Sequence, residues 1–153
     1  AGRLDQAIAL YEQNLTDRLR ILGPDHPSTL TSRNNLAYAH QAAGRLGQAI
    51  ALYEQNLTDS LRILGPDHPD TLASRNNLAG AHESAGRLDQ AIALHEQTLT
   101  DSLRILGPDH PDTLASRNNL AYAHQAAGRS EDATALFDPP PDSGAADADR
   151  PDE

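Results

Sequence analysis

Leu4, Ala7, Ile8, Tyr11, Leu15, Leu19 and Leu22 recur three or four positions apart, with Ala7 and Ile8 adjacent and mostly polar residues between. That is the spacing of one apolar face of an α-helix, and it predicts a helix over 3–22. Gly23 supplies a C-terminal cap, and Pro24 cannot continue the helix. A shorter helix follows over 28–42. Pro27 suits its first position, where a missing N–H has no intrahelical partner, and Leu30, Leu36, Ala37 and Ala39 are its apolar members. Ala43-Gly44 ends it. The whole pattern then returns with a period of 42: Ala1-Gly2-Arg3-Leu4 recurs as Ala43-Gly44-Arg45-Leu46 and Ala85-Gly86-Arg87-Leu88, and Ala127-Gly128-Arg129 opens a truncated fourth copy. Seven helices are predicted, near 3–22, 28–42, 45–64, 70–84, 87–106, 112–126 and 129–137, and no strand. Short connections make neighbouring helices antiparallel. Identical units joined by identical turns are related by one repeated rotation and translation. The expected fold class is therefore all-α, a right-handed α-solenoid of antiparallel helix hairpins with one concave face. It spans 1–137, in units 1–42, 43–84, 85–126 and 127–137. Residues 138–153 have the composition of a disordered, acidic, proline-rich tail.

Composition narrows the function classes. The 153 residues carry 22 acids against 12 bases, all arginine, for a net charge of −10. About half of that charge lies from Asp138 onward. A nucleic-acid partner would call for a basic stripe and stacking aromatics, and only five aromatic side chains, four Tyr and one Phe, occur in the chain. There is no Cys, which removes disulfides and thiolate chemistry. No apolar run reaches membrane-spanning length and no signal segment opens the chain. A cytoplasmic protein without nucleic-acid or membrane partners is expected. The chain starts without Met on a long helix, and the shorter helix that would precede it is missing from the sequence. A truncated array, or an exposed apolar end that associates with another copy, would both account for this.

The one suggestive chemical motif is Gly23-Pro24-Asp25-His26-Pro27, which sets a carboxylate beside an imidazole. It returns at 65–69 and 107–111. Three copies at one solenoid edge stand roughly 10 Å apart or more, whereas Zn–N bonds span about 2.0–2.1 Å, so no single metal could collect them. The motif reads as a turn in which His26 caps the next helix, with Asp25 or Thr29 helping to satisfy free N–H groups. His40, His82 and His124 read as packed histidines. Ser60 beside Asp59 and Ser102 beside Asp101 have no partner base nearby, and no phosphate loop is present. No catalytic residue, metal or cofactor is expected, and the chain reads as a non-enzyme.

The string Asn35-Leu36-Ala37, then Gly44, Ala49 and Tyr53, resembles a tetratricopeptide repeat. The 42-residue period and the phrase LGPDHPDTLASRNNLA resemble its kinesin-light-chain subclass, of the kind found in bacterial multi-repeat proteins. The resemblance covers about residues 1–137. It departs from the family at Arg33, Arg75 and Arg117, where a large apolar residue is usual, at Asn14, Asn56 and Thr98, and at His40, His82 and His124. The resemblance implies that the shorter helix of each hairpin lines the concave face through Thr31, Asn34, Tyr38, Gln41 and Ala42 and their counterparts. It further implies that Asn35, Asn77 and Asn119 hold the backbone of a bound peptide. An amide offers two donors and an acceptor, so it can pair with a peptide group in either direction. Bonding only to neighbouring helices is the alternative.

Nine of the 42 aligned columns vary, those of Asp5, Tyr11, Asn14, Arg18, Ser28, Thr31, Tyr38, Gln41 and Ala42. Four of the five lining positions are among them, which suggests a constant amide ladder with changeable neighbours, and Gly80 opening a pocket between Tyr38 and Tyr122. The candidate binding residues are Asn34, Asn35, Tyr38, Gln41, Asn76, Asn77, Gly80, Glu83, Asn118, Asn119, Tyr122 and Gln125. The expected function is a non-enzymatic protein- or peptide-binding scaffold. The alternatives are a self-associating structural array, or the sensor arm of a larger regulator.

Overall fold

A computed structural model describes residues 2–138, and the expected tail lies, apart from Asp138, outside the described residues. The described residues form seven helices and no strand: α1 (Gly2–Leu22), α2 (Pro27–Ala42), α3 (Leu46–Leu64), α4 (Pro69–Ser84), α5 (Leu88–Leu106), α6 (Pro111–Ala126) and α7 (Ser130–Ala135). Each helix packs chiefly on the next in sequence, and α2 also touches α4. The long helices α1, α3 and α5 alternate with the short helices α2, α4 and α6.

The turns explain why the boundaries are sharp. Gly65 ends α3 at φ +88° and ψ 169°, a region that side-chain-bearing residues essentially do not enter. Its N–H still bonds the Leu61 carbonyl at 3.2 Å. Two residues past the following proline, the Nδ1 of His68 accepts the Asp70 N–H at 3.1 Å, and the following helix begins at Pro69. His26 and His110 cap α2 and α6 in the same way. Asp25 and Thr29 do not satisfy free N–H groups there. Thr29 instead donates its hydroxyl to the Gly23 carbonyl at 2.8 Å, and Asp25 reaches Arg62 of the next unit.

The core is made of small and branched side chains. Ala37, Ala49, Ile50, Tyr53, Leu78 and Ala81 bring α2, α3 and α4 together. Alanine at the contact lets helix axes approach closely. The long-helix stripe is buried to different depths along the chain. In α3, which lies between α2 and α4, Ala49, Ile50 and Tyr53 are buried. In α1, which packs chiefly on α2, only Ile8 and Leu15 are. Leu19, Leu61 and Leu103, at one repeat position, are all exposed, so the apolar stripe is narrower than the spacing suggested.

Two ionic networks staple the units. Arg33 is buried and bonds Asp59 at 2.7 Å, Asp59 bonds Arg62, and Arg62 bonds Asp25, so residues of the first and second units alternate in sign. Arg75, Asp101, Arg104 and Asp67 repeat the arrangement between the second and third units. Arg62 and Arg104 hold the carboxyls of Asp25 and Asp67 below the usual carboxylate range. Arg33 and Arg75, two of the three arginines that depart from the family pattern, are thus paired rather than simply inserted into an apolar core. His40 and His82 are buried, and loss of hydration pushes both below the ordinary imidazole value.

Candidate functional site

The short helices α2 and α4 touch directly, and α6 holds the corresponding place in the third unit. Side-chain hydrogen bonds link α2 directly to α4, among them Gln41 to the Gly80 carbonyl at 3.4 Å. Asn77 donates to the Asn34 side-chain oxygen at 2.9 Å, and Gln41 donates to the Ser84 hydroxyl at 2.9 Å. An invariant amide of one unit therefore meets an invariant amide of the unit before it. Asn35, Tyr38, Asn118, Asn119, Tyr122 and Gln125 are exposed, whereas Asn34, Gln41, Asn76, Asn77 and Gly80 are half-buried.

Glu83 is oriented differently. Its carboxylate lies 3.0 Å from the Nε2 of His95 on α5, so it is tied to the neighbouring long helix. The same column carries Gln41 where the facing long-helix residue is Tyr53, so the glutamate and the histidine change together. Burial pushes the Tyr53 hydroxyl up to about 12, and the phenol stays neutral. Added bulk at Gly80 would meet nothing within 4 Å, so its surroundings are open.

The cavities lie nearer the starts of the short helices than Gly80. One, of about 170 Å³, is bounded by Leu30, Thr31 and Asn34 of α2, Asn56 and Ser60 of α3, and Asp70 and Ser74 of α4, among others. A second, of about 250 Å³, sits one unit further on, with Ala73, Asn76, Ser102, Asp112 and Ser116 in its wall. Of the candidate residues, Asn34 and Asn77 line the first and Asn76 the second. The sequence reading missed Asn56, Ser60, Asp70, Ser102 and Asp112. The available signal was that their columns are among the nine that vary.

The face holds no assembled catalytic constellation. Ser60 and Ser102 are buried and face Ser74 and Ser116 at 3.3 Å, hydroxyl to hydroxyl, with no base. Among the described residues no three His, Asp or Glu side chains are placed to hold a metal, and no helix is long and apolar enough to cross a membrane.

The family description "Tetratricopeptide repeat" matches residues 1–58, 34–102 and 85–138, which covers the whole described array. The chain is a tetratricopeptide-repeat protein. Among solved structures, this repeat protein is similar to a putative kinesin light chain of Podosopora anserina with nearly identical repeats, at 36% identity and a TM-score of 0.79. The match covers 88% of this chain and 64% of that one. A point variant of the same protein matches at 35% identity with the same score and coverage. BtubC from P. vanneervenii is similar at 26% identity and a TM-score of 0.78, over 89% of this chain and 54% of that one. The chain thus spans less than two thirds of each of these structures. No curated protein matches its sequence. Tetratricopeptide repeats generally mediate protein–protein interactions and are generally non-enzymatic, and the kinesin-light-chain-like character of the repeats is shared with these structures.

Proposed function

We propose that this repeat protein is a non-enzymatic scaffold that holds an extended protein or peptide segment on the concave side of its solenoid, against α2, α4 and α6. The observation that carries this reading is the exposure of the invariant amides Asn35, Asn118 and Asn119 on the short helices, whereas Asn76 is half-buried and Asn77 is bonded to Asn34 of the unit before it. Each exposed amide keeps donors and an acceptor for a peptide group. Main-chain recognition of this kind grips an extended chain without reading its side chains. Tyr38 and Tyr122 stand exposed beside the amides and supply apolar contact area with little rotamer freedom to lose. The test is capture from the source organism's lysate by the wild type and by the Asn77→Ala, Asn119→Ala double variant. Partners retained by the wild type should be depleted by the variant, and equal retention would sink the amide reading.

A second reading is self-association. The same Arg–Asp–Arg–Asp arrangement occurs at both unit junctions, so a unit from another copy would stack with the same contacts. Sedimentation velocity over a wide concentration range decides it, because a monomer throughout removes this reading.

A further inference from the structure

Three of the nine variable columns change together. Where the first unit has Arg18, Ser28 and Thr31, the second has Ser60, Asp70 and Ala73, and the third has Ser102, Asp112 and Ala115. The two members on the short helices and the one on the long helix meet in space. Ser60, Asp70 and Ala73 all line the 170 Å³ cavity, and Ser102, Asp112 and Ala115 all line the 250 Å³ one.

The first unit shows what belongs in that place. Arg18 donates through Nε to the Asn14 side-chain oxygen at 3.1 Å and through its terminal nitrogen to the Ser28 carbonyl at 3.3 Å. In the second unit serine replaces the arginine, and the acceptors remain. Asn56, the counterpart of Asn14, is 3% exposed, lines the cavity, and has a side-chain oxygen with no partner. Its amide nitrogen faces Ser74 instead. Ser28 has meanwhile become Asp70, which adds a carboxylate at the cavity rim. A buried acceptor without a donor is costly, and Asp70, whose carboxylate is largely exposed and lies 3.9 Å from the His68 ring, gives the same cavity wall an anionic residue that favours a cation. The volume is far above the roughly 10–15 Å³ that one water needs. Leu30 and Leu64 supply apolar wall for an aliphatic stem.

We propose that the cavity bounded by Asn56, Ser60, Asp70 and Ser74 receives the arginine side chain of a bound partner peptide, in place of the arginine that the first unit carries itself. The guanidinium donates to the Asn56 oxygen and to the Asp70 main-chain or side-chain oxygens. This inference rests on the groove reading above, because Asn34 and Asn77 line the same cavity. The 250 Å³ cavity is not assigned, since Thr98 replaces the asparagine there and its hydroxyl is turned to the Leu94 carbonyl.

The test is a positional-scanning set of extended octapeptide pools, alike except for one fixed central residue, measured by fluorescence anisotropy. The arginine pool should bind at least roughly tenfold more tightly than the pool fixed with citrulline, which has the same shape without the charge. Asp70→Ser, which restores the first unit's residue, should weaken the arginine pool and leave the others unchanged. Ser60→Arg should do the same by filling the cavity, and Asp70→Ser decides alone if that variant fails to fold. Asn77→Ala should instead weaken every pool equally. Equal binding of all pools overturns the arginine site and leaves the groove reading standing. Binding of no pool overturns both. Tighter arginine binding after Arg150→Ala identifies the chain's own Arg150 as the occupant and overturns the partner.

Discussion

Replacing Asp101 by alanine isolates one charge in the junction between the second and third units. Arg75 is 2% exposed and its guanidinium lies 2.8 Å from the Asp101 carboxylate. At that distance an effective dielectric constant of 20 gives a gross attraction of about 6 kcal/mol. Desolvation of the two ions opposes it by several kcal/mol each, so the intact pair contributes little net stability. Removing the aspartate is a different matter, because the arginine stays buried without its counter-charge. Loss of one partner of a buried pair costs about 3–5 kcal/mol, against a total of roughly 5–15 kcal/mol for a domain. Arg104→Ala removes a half-exposed partner of the same aspartate and should cost only about 0–1 kcal/mol. Urea unfolding followed by circular dichroism measures both. Because each unit contacts only its neighbours, weakening one junction should also broaden the transition or split it. A loss below about 1 kcal/mol for Asp101→Ala, or equal losses for the two variants, would refute the claim that Arg75 depends on this carboxylate.

The glycines separate two roles. Gly65→Ala should destabilise by about 1–3 kcal/mol because of its backbone angles, whereas Gly80→Ala, in mid-helix with open space around it, should stabilise by about 0.5–1 kcal/mol; thermal melts of the pair should move in opposite directions. His40 and His82 have folded-state values below the ordinary 6.5, so the unfolded chain binds more protons as the pH falls below about 6.5. Their contribution is present above that value and is lost on acidification toward their folded-state values. The urea midpoint should therefore fall between neutral pH and about pH 5, less steeply in the His40→Gln, His82→Gln variant, and an unchanged pH profile would remove the histidines as the cause.

Helix ends were legible because they are written locally. Gly23, Pro24 and Pro27 act on their own backbone, and α2 begins within one residue of its expected start. Side-chain partners were not legible. Arg33 read as a polar intrusion because Asp59 stands 26 positions away, and only the stacking of α3 against α2 brings the two together. Asp25 read as a turn residue for the same reason, since Arg62 lies 37 positions on. The candidate site divides similarly. The invariant asparagines were visible as a motif, but that Asn77 bonds Asn34 depends on the contact between consecutive short helices. The joint change at Arg18, Ser28 and Thr31 was present in the aligned units. It becomes a cavity only once the hairpin register sets the long-helix position against the short-helix ones.

The charge-alternating staple between units has a consequence for inheritance. Both of its junction sets draw the same residue types from the same places in each unit, so a crossover between misaligned copies of the gene deletes or adds a whole period and leaves the staples between the remaining full units chemically matched. Copy number can then drift without passing through a broken fold. Side chains outside the seams, such as those around the arginine cavity, are free to diverge one copy at a time. Selection in such a lineage acts on the length of the array and on a few changeable letters.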